Sequence, residues 1–271
     1  MNQQRRGFLS ASTSAMMMVG AYGAGLLNIK NSHASEWGKA DFENSELQKL
    51  MVSLGGTQAV TSHRITLRCP ELVENGMVVP LEIQSNLPNT DAIAIMVDGN
   101  PFPLAAKFDL LAGSNGYLAT RIRLAQSSTV RAIIRSGGQT YSVSQYVKVT
   151  VGGCGSDSES AEATMLMSSA PMKIRATQNG DSTDIKCLMN HIMETGFRKD
   201  SSSGRVIPAH HITNVTITVA GKKVMDAQFG GGISKNPILA LKYSGANKGD
   251  QVSASWVDNT GDSKTATTVI S

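Results

Sequence analysis

Val78-Val79-Pro80-Leu81-Glu82-Ile83, Ala92-Ile93-Ala94-Ile95-Met96-Val97, Tyr117 to Leu124, Val130 to Ile134 and Tyr141 to Val151 are short runs rich in β-branched residues. Pro88-Asn89, Asp98-Gly99-Asn100-Pro101, Gly113-Ser114-Asn115-Gly116 and Ser136-Gly137-Gly138 separate them. Branched side chains pack on a pleated surface, while Gly, Asn and Pro supply the backbone angles of tight turns. Strand and turn chemistry at this spacing predicts an antiparallel sandwich. Downstream, Met172 to Ala176 and the stretches 183–189, 214–219, 223–229, 238–243, 251–257 and 264–270 repeat the pattern, with Ala220-Gly221-Lys222 and Asp258 to Asp262 as hairpin-type connections. Residues 152–171 break it. Gly152-Gly153-Cys154-Gly155-Ser156-Asp157-Ser158-Glu159 is small, polar and acidic, the composition of a flexible joint. Upstream, Phe42, Leu47, Leu50, Met51 and Leu54 recur at helical spacing over 41–54, and Gly55-Gly56 closes that helix. The expected class is all-β: one sandwich over 35–151, a joint at 152–171 and a second sandwich over 172–271.

Composition bounds the function. Of 271 residues, 41% are apolar and 17% charged, so the chain folds around a core. The formal charge of +4 resides mostly in residues 1–34, which carry Arg5, Arg6 and Lys30 and no acid; the remainder has 22 basic against 21 acidic side chains. That balance, without a Lys/Arg cluster, argues against nucleic acid as a partner. The paired Arg5-Arg6 precede Gly7-Phe8-Leu9, a Gly/Ala-diluted apolar stretch to Leu27, and Ser32-His33-Ala34. A charged start, a modest apolar run and small residues at a cut site read as a twin-arginine signal peptide over 1–34. The apolar run is short for a bilayer, and no stable membrane association is expected. The expected location is the periplasm.

Three cysteines is an odd number for an exported chain. Cys187 alternates with Ile185 and Met189, which puts it on a core face, and Cys69 sits before Pro70 at a strand end; a bridge between them would link the two halves. Cys154 differs. Gly152, Gly153 and Gly155 around it have no Cβ, giving the thiol exposure and the arm its freedom. No His, Lys or Arg lies within five residues of it, while Asp157 and Glu159 do. A catalytic thiol wants a base or cation beside it, so Cys154 reads as an attachment handle, and no catalytic residue is assigned. His210-His211 are neighbours that a strand points to opposite faces, and His191 with Glu194 falls among turn residues, so no metal site is expected. Gly230-Gly231-Gly232 follows a strand but lacks the helix of a phosphate-binding loop.

Residues 36 to 155 resemble SoxY, the cysteine-bearing subunit of the sulfur-oxidation (Sox) carrier. The resemblance runs through Ile65-Thr66-Leu67, Pro70 to Pro80, Asn100-Pro101-Phe102-Pro103-Leu104-Ala105-Ala106 and Val147 to Gly155. Residues 172–271 resemble SoxZ through His191 to Asp200, Ile207-Pro208-Ala209-His210, Ser234-Lys235-Asn236-Pro237 and Trp256 to Ser263. The chain thus looks like a SoxY–SoxZ fusion. The resemblance implies immunoglobulin-like sandwiches and a non-enzymatic carrier without a cofactor. Cys154 would hold a thiosulfate-derived S-thiosulfonate, with Gly152, Gly153 and Gly155 as its arm. It implies as partners a SoxAX-like c-type cytochrome that couples thiosulfate to the thiol, a SoxB-like thiosulfohydrolase that releases sulfate and, in some pathways, a SoxCD-like sulfane dehydrogenase. In the family the glycine-cysteine motif ends the chain, whereas here 116 residues follow Gly155. The arm must therefore reach a partner as a loop rather than a free end. The alternative from another class is a thiol-dependent redox enzyme or sulfurtransferase using Cys154, which would turn over alone.

Replacing Arg5 and Arg6 with Lys should leave precursor in the cytoplasm, as followed by fractionation and immunoblotting. Unchanged export would contradict the twin-arginine reading.

Overall fold

The computed structural model describes residues 39–151, 171–200 and 203–271. The signal at 1–34 and the joint from 152 to 170 lie outside the described residues. The first half carries β1 (Ile65–Arg68), β2 (Leu72–Asn75), β3 (Val79–Ser85), β4 (Thr90–Val97), β5 (Leu104–Leu110), β6 (Ser114–Ile122), β7 (Ser128–Ser136) and β8 (Gln139–Val151). The second carries β9 (Lys173–Asn179), β10 (Ser182–Leu188), β11 (Ile212–Val219), β12 (Lys222–Phe229), β13 (Ile238–Ser244), β14 (Gln251–Asp258) and β15 (Ser263–Val269). Each half is a two-sheet sandwich, as the strand spacing predicts. Among the described residues no helix is long and apolar enough to cross a membrane.

The halves do not meet through sandwich faces. They meet edge to edge, so both sheets run through the whole unit. One sheet has the order β1-β3-β6-β13-β10-β9 and the other β15-β14-β11-β12-β5-β4-β7-β8-β2. The seams are antiparallel: Met225 to Phe229 of β12 pair with Leu110 to Ala106 of β5, and Ala240 and Leu241 of β13 pair with Ala119 and Leu118 of β6. An open edge leaves a row of unpaired N–H and C=O groups, and each half closes the other's. Buried Phe108 and Phe229 meet across the seam with centroids 6.0 Å apart in an edge-to-face pair. Gly230 and Gly232 permit the approach: a Cβ at Gly230 would lie 2.8 Å from the Phe42 ring, and one at Gly232 2.8 Å from Ala105 Cβ. These glycines serve packing.

Sequence periodicity places β4 correctly but gives no sign of β5, and one cause explains both. Ile93, Ile95 and Val97 of β4 enter the core between the sheets, while Ala94 and Met96 lie on the other face beneath α1 (Leu47–Ser53) with Leu50, Leu54 and Leu104. With both faces covered, Leu104-Ala105-Ala106-Lys107-Phe108 is buried throughout and shows no alternation. The helix is shorter than its apolar spacing predicts. Lys39–Glu43 is a separate 3-10 turn, and the Asn44 side chain accepts the Glu46 N–H at 2.9 Å, competing with helical bonding. Gly55, at φ 72°, ends α1 as expected. The buried exception in β5 is Lys107. Its ammonium lies 4.0 Å from Asp41 Oδ2 and 5.3 Å from the Phe42 ring centre, and burial outweighs Asp41 and Asp109 to bring its pKa down to about 8.

Proteolytic cleavage between 152 and 170 should leave two pieces that co-elute in gel filtration and unfold in one transition. Pieces that separate at micromolar concentration would contradict the shared-sheet architecture.

Candidate functional site

Cys154, Gly152, Gly153 and Gly155 lie outside the described residues; the structure describes the strand from which they depart. The end of β8 runs parallel to β2, with Leu72 opposite Lys148, Val73 opposite Val149 and Asn75 opposite Val151. Lys148 N–H donates to Glu71 O and Gly76 N–H to Val151 O, each at 2.8 Å. Val149 N–H donates to Ser127 Oγ at 2.9 Å. The end of β8 at Val151 is therefore pinned on both sides, while the Val151 side chain is exposed.

The other two cysteines are free thiols, so no bridge joins the halves through them. Burial pushes the Cys187 pKa up to about 12 and that of Cys69 up to about 11. Neither is a thiolate near neutrality, and the thiolate is the nucleophile. Cys187 is fully buried beside Ile185 and Met189, the core face its alternation predicts.

Folding brings together residues far apart in sequence. His191 lies in the loop that follows β10, His210 stands before β11, and Asp258 ends β14. His191 Nε2 lies 3.2 Å and His210 Nε2 2.8 Å from Asp258 Oδ2. The other oxygen, Oδ1, accepts the Thr260 N–H and hydroxyl at 2.8 Å each and the Asp262 N–H at 2.9 Å. His191 Nδ1 accepts the Met193 N–H at 3.1 Å, which places the proton of the neutral ring on Nε2, donating to Asp258. Trp256 packs edge-on against His191.

Among the described residues these three side chains bring ligand-type atoms together, all within 4.8 Å of one another. The proton assignment decides what they do. A metal at His191 Nε2 would need that proton moved to Nδ1, against the Met193 N–H. The cluster is a hydrogen-bonded clasp that ties the 191–195 loop and the start of β11 to the β14–β15 turn. Glu194 and His210 add two reciprocal backbone bonds, and Glu194 pairs with Arg198 at 2.8 Å. Burial alone would raise the Asp258 pKa, but hydrogen bonds from Thr260, His191 and His210 prevail and hold it well below the usual carboxylate range. Burial lowers the pKa of His191 against the Asp258 hydrogen bond, and lowers that of His211 as well. Spacing alone gives no warning of this convergence. Its sequence signal is that the resemblance to SoxZ passes through all three of these stretches.

Two family models match. Residues 51–154 match "Sulfur oxidation protein SoxY" and residues 172–269 match "Sulphur oxidation protein SoxZ". No curated protein matches. Among solved structures, the sulfur carrier protein SoxY from Chlorobium limicola f thiosulfatophilum is 27% identical, covering 41% of this chain and 96% of its own, at a TM-score of 0.35. A superoxide reductase (neelaredoxin) from Ignicoccus hospitalis is 13% identical, covering 35% of this chain and 97% of its own, at a TM-score of 0.31.

A folded His pKa below its unfolded value means that the unfolded chain takes up protons the folded one refuses. The histidine contribution to stability should therefore be lost as pH drops below about 6.5 and be constant above it. Urea denaturation at pH 7.5 and pH 5 should show this slope, reduced in His191→Gln. Asp258→Asn should cost about 2–3 kcal/mol at pH 7, since hydrogen bonds to a buried charge are lost. A pH-independent midpoint and a neutral Asp258→Asn would contradict the clasp.

Proposed function

We propose, for a chain that belongs to the SoxY and SoxZ families and joins both in one polypeptide, that it is an exported carrier holding sulfur intermediates on Cys154. Both families are sulfur-oxidation proteins, so the coarse role follows from membership. The observation that carries the finer reading is that the SoxY match ends on Cys154 itself. The elevated pKa values of Cys69 and Cys187 support it, because burial keeps both of those thiols protonated near neutrality and so poor nucleophiles.

In this reading the thiol of Cys154 joins the sulfane sulfur of thiosulfate. A Cys–S–S–SO3⁻ adduct forms, one proton leaves the thiol and two electrons pass, one at a time, to a c-type cytochrome partner. Water then attacks in a hydrolase partner, giving Cys–S–SH and hydrogen sulfate. The carrier supplies a sulfur atom and reach. Its sequence places no base or cation beside Cys154, so the partner supplies the positive charge that stabilises the thiolate and the sulfonate oxygens. Other Sox proteins are the partners, and the periplasm is where they meet.

Cys154→Ser should abolish both the adduct and thiosulfate-dependent respiration, with the unfolding midpoint almost unchanged. Dithiothreitol should return the wild-type adduct to the thiol mass. Cys187→Ala should do the opposite, lowering stability by about 1–3 kcal/mol with the adduct retained. Thiosulfate turnover by the isolated chain would favour a thiol-dependent enzyme instead.

A further inference from the structure

Among the described residues no helix covers the outer face of the sheet β1-β3-β6-β13-β10-β9. On that face the register aligns Arg68, Glu82, Ala119, Ala240, Lys186 and Arg175 in one row across all six strands. Ala119 of β6 and Ala240 of β13 are partners at the seam between the halves, so the middle of the row carries only two methyl groups. Longer side chains stand on either side. The result is a trough of about 660 Å³, lined also by Tyr117, Arg121, Ile238 and Lys242. Glu82 and Lys186 bound it three strand spacings apart, about 14 Å.

The charge of this face departs from that of the chain. Beyond residue 34 the chain is nearly balanced, with 22 basic and 21 acidic side chains. The six strands direct outward Arg68, Arg121, Lys173, Arg175, Lys186 and Lys242 against Glu82 and Asp184, six cations to two carboxylates. No stretch of sequence shows this cluster, because its cations come from five strands that folding sets side by side. Both carboxylates are engaged, Glu82 with Arg68 at 3.0 Å and Asp184 with Lys242 at 3.8 Å. Arg121, Lys173, Arg175 and Lys186 have no carboxylate partner among the described residues. An excess of one sign on one face repels itself, and a partner of opposite sign relieves that repulsion.

The shape and the residual carboxylates select the class of partner. A duplex carries one negative charge per about 1.7 Å of its axis, and Glu82 and Asp184 would oppose so continuous a line. The ring on this face, Tyr117, has the Lys242 ammonium over it at 5.3 Å and gives no platform for stacking bases. A small apolar centre inside a charged rim is the anatomy of a protein interface. Here Ala119, Ala240 and Ile238 form the centre, and Arg121 and Lys186 stand on the rim, about 12 Å apart at Cα from their strand and row offsets. We propose that the trough is the docking site for an acidic protein surface, whose carboxylates pair with Arg121 and Lys186 while small apolar side chains rest on the two alanines. Arg121 belongs to the SoxY-like half and Lys186 to the SoxZ-like half, so the site exists only where the halves are paired. It goes beyond the carrier reading and does not rest on Cys154.

The test uses the full mature chain and a fluorescein-labelled peptide of alternating Glu and Ala, with binding followed by fluorescence anisotropy. Affinity at low salt should fall about tenfold at physiological salt, as screening weakens exposed charge pairs. Arg121→Gln with Lys186→Gln should weaken low-salt binding tenfold or more. Lys222→Gln with Lys248→Gln removes the same charge from exposed positions elsewhere and should leave binding within twofold. Ala240→Leu fills the trough without changing charge and should weaken binding threefold or more. Circular dichroism should be unchanged in all three variants, since the altered side chains lie on outer surfaces. Equal losses in the two charge variants, unchanged binding in Ala240→Leu, or no binding by the wild type would each overturn the docking site. Tighter binding of duplex DNA or of phosphatidylglycerol vesicles than of the peptide, lost in the Arg121 and Lys186 variant, would assign the face to another class of partner and overturn it too. A wild-type dimer in sedimentation that this variant dissolves would assign the face to self-association, with the same consequence.

Discussion

The pairing of β5 with β12 is the interaction on which the rest of the structure depends. Each half alone would present open strand edges in both sheets, and an unpaired edge is a template for association. Here the edges satisfy each other through β5–β12 and β6–β13, and the core runs without interruption from Ile93 and Phe108 to Phe229 and Leu241. Around the seam, Arg123 N–H to Gly232 O and Gly230 N–H to Ala105 O extend the backbone bonding into the connecting loops. The covalent joint at 152–170 is thus one of two links between the halves. The other is a pair of β-ladders.

That seam also explains which parts of the fold are legible in the sequence. Strands with one wet face, such as β3 with its alternating burial from Val79 to Ser85, announce themselves by period. β5 does not, because α1 covers one of its faces and the second sheet the other. β2 is only four residues long and mostly exposed, too short to give a pattern. The hairpin at Ala220-Gly221 is legible from its chemistry, and both residues have positive φ. The edge-to-edge joining is not legible, because pairing partners far apart in sequence leave no local trace. Two sandwiches meeting through faces and two meeting through edges predict the same strands.

The site divides in the same way. Cys154 stands out because its glycine neighbours and missing base are local features. The clasp of His191, His210 and Asp258 is invisible locally, since its members lie 19 and 48 residues apart. Its role follows from proton placement rather than residue type. Two histidines and an aspartate make a plausible ligand set on paper, but Met193 N–H at His191 Nδ1 commits that ring to donating. The outcome is a SoxZ-like loop tied by hydrogen bonds to the turn after β14. Gly230 and Gly232, part of a loose motif in sequence, are explained by the close approach of the two halves.

The central claim is that Cys154 bears the sulfur. Peptide mapping by mass spectrometry, on protein isolated without reductant from cells oxidising thiosulfate, tests it most directly. The account predicts a reductant-sensitive S-thiosulfonate or persulfide on the peptide spanning Cys154, with Cys69 and Cys187 recovered as free thiols. Sulfur found on Cys69 or Cys187, or on no cysteine at all, would contradict it.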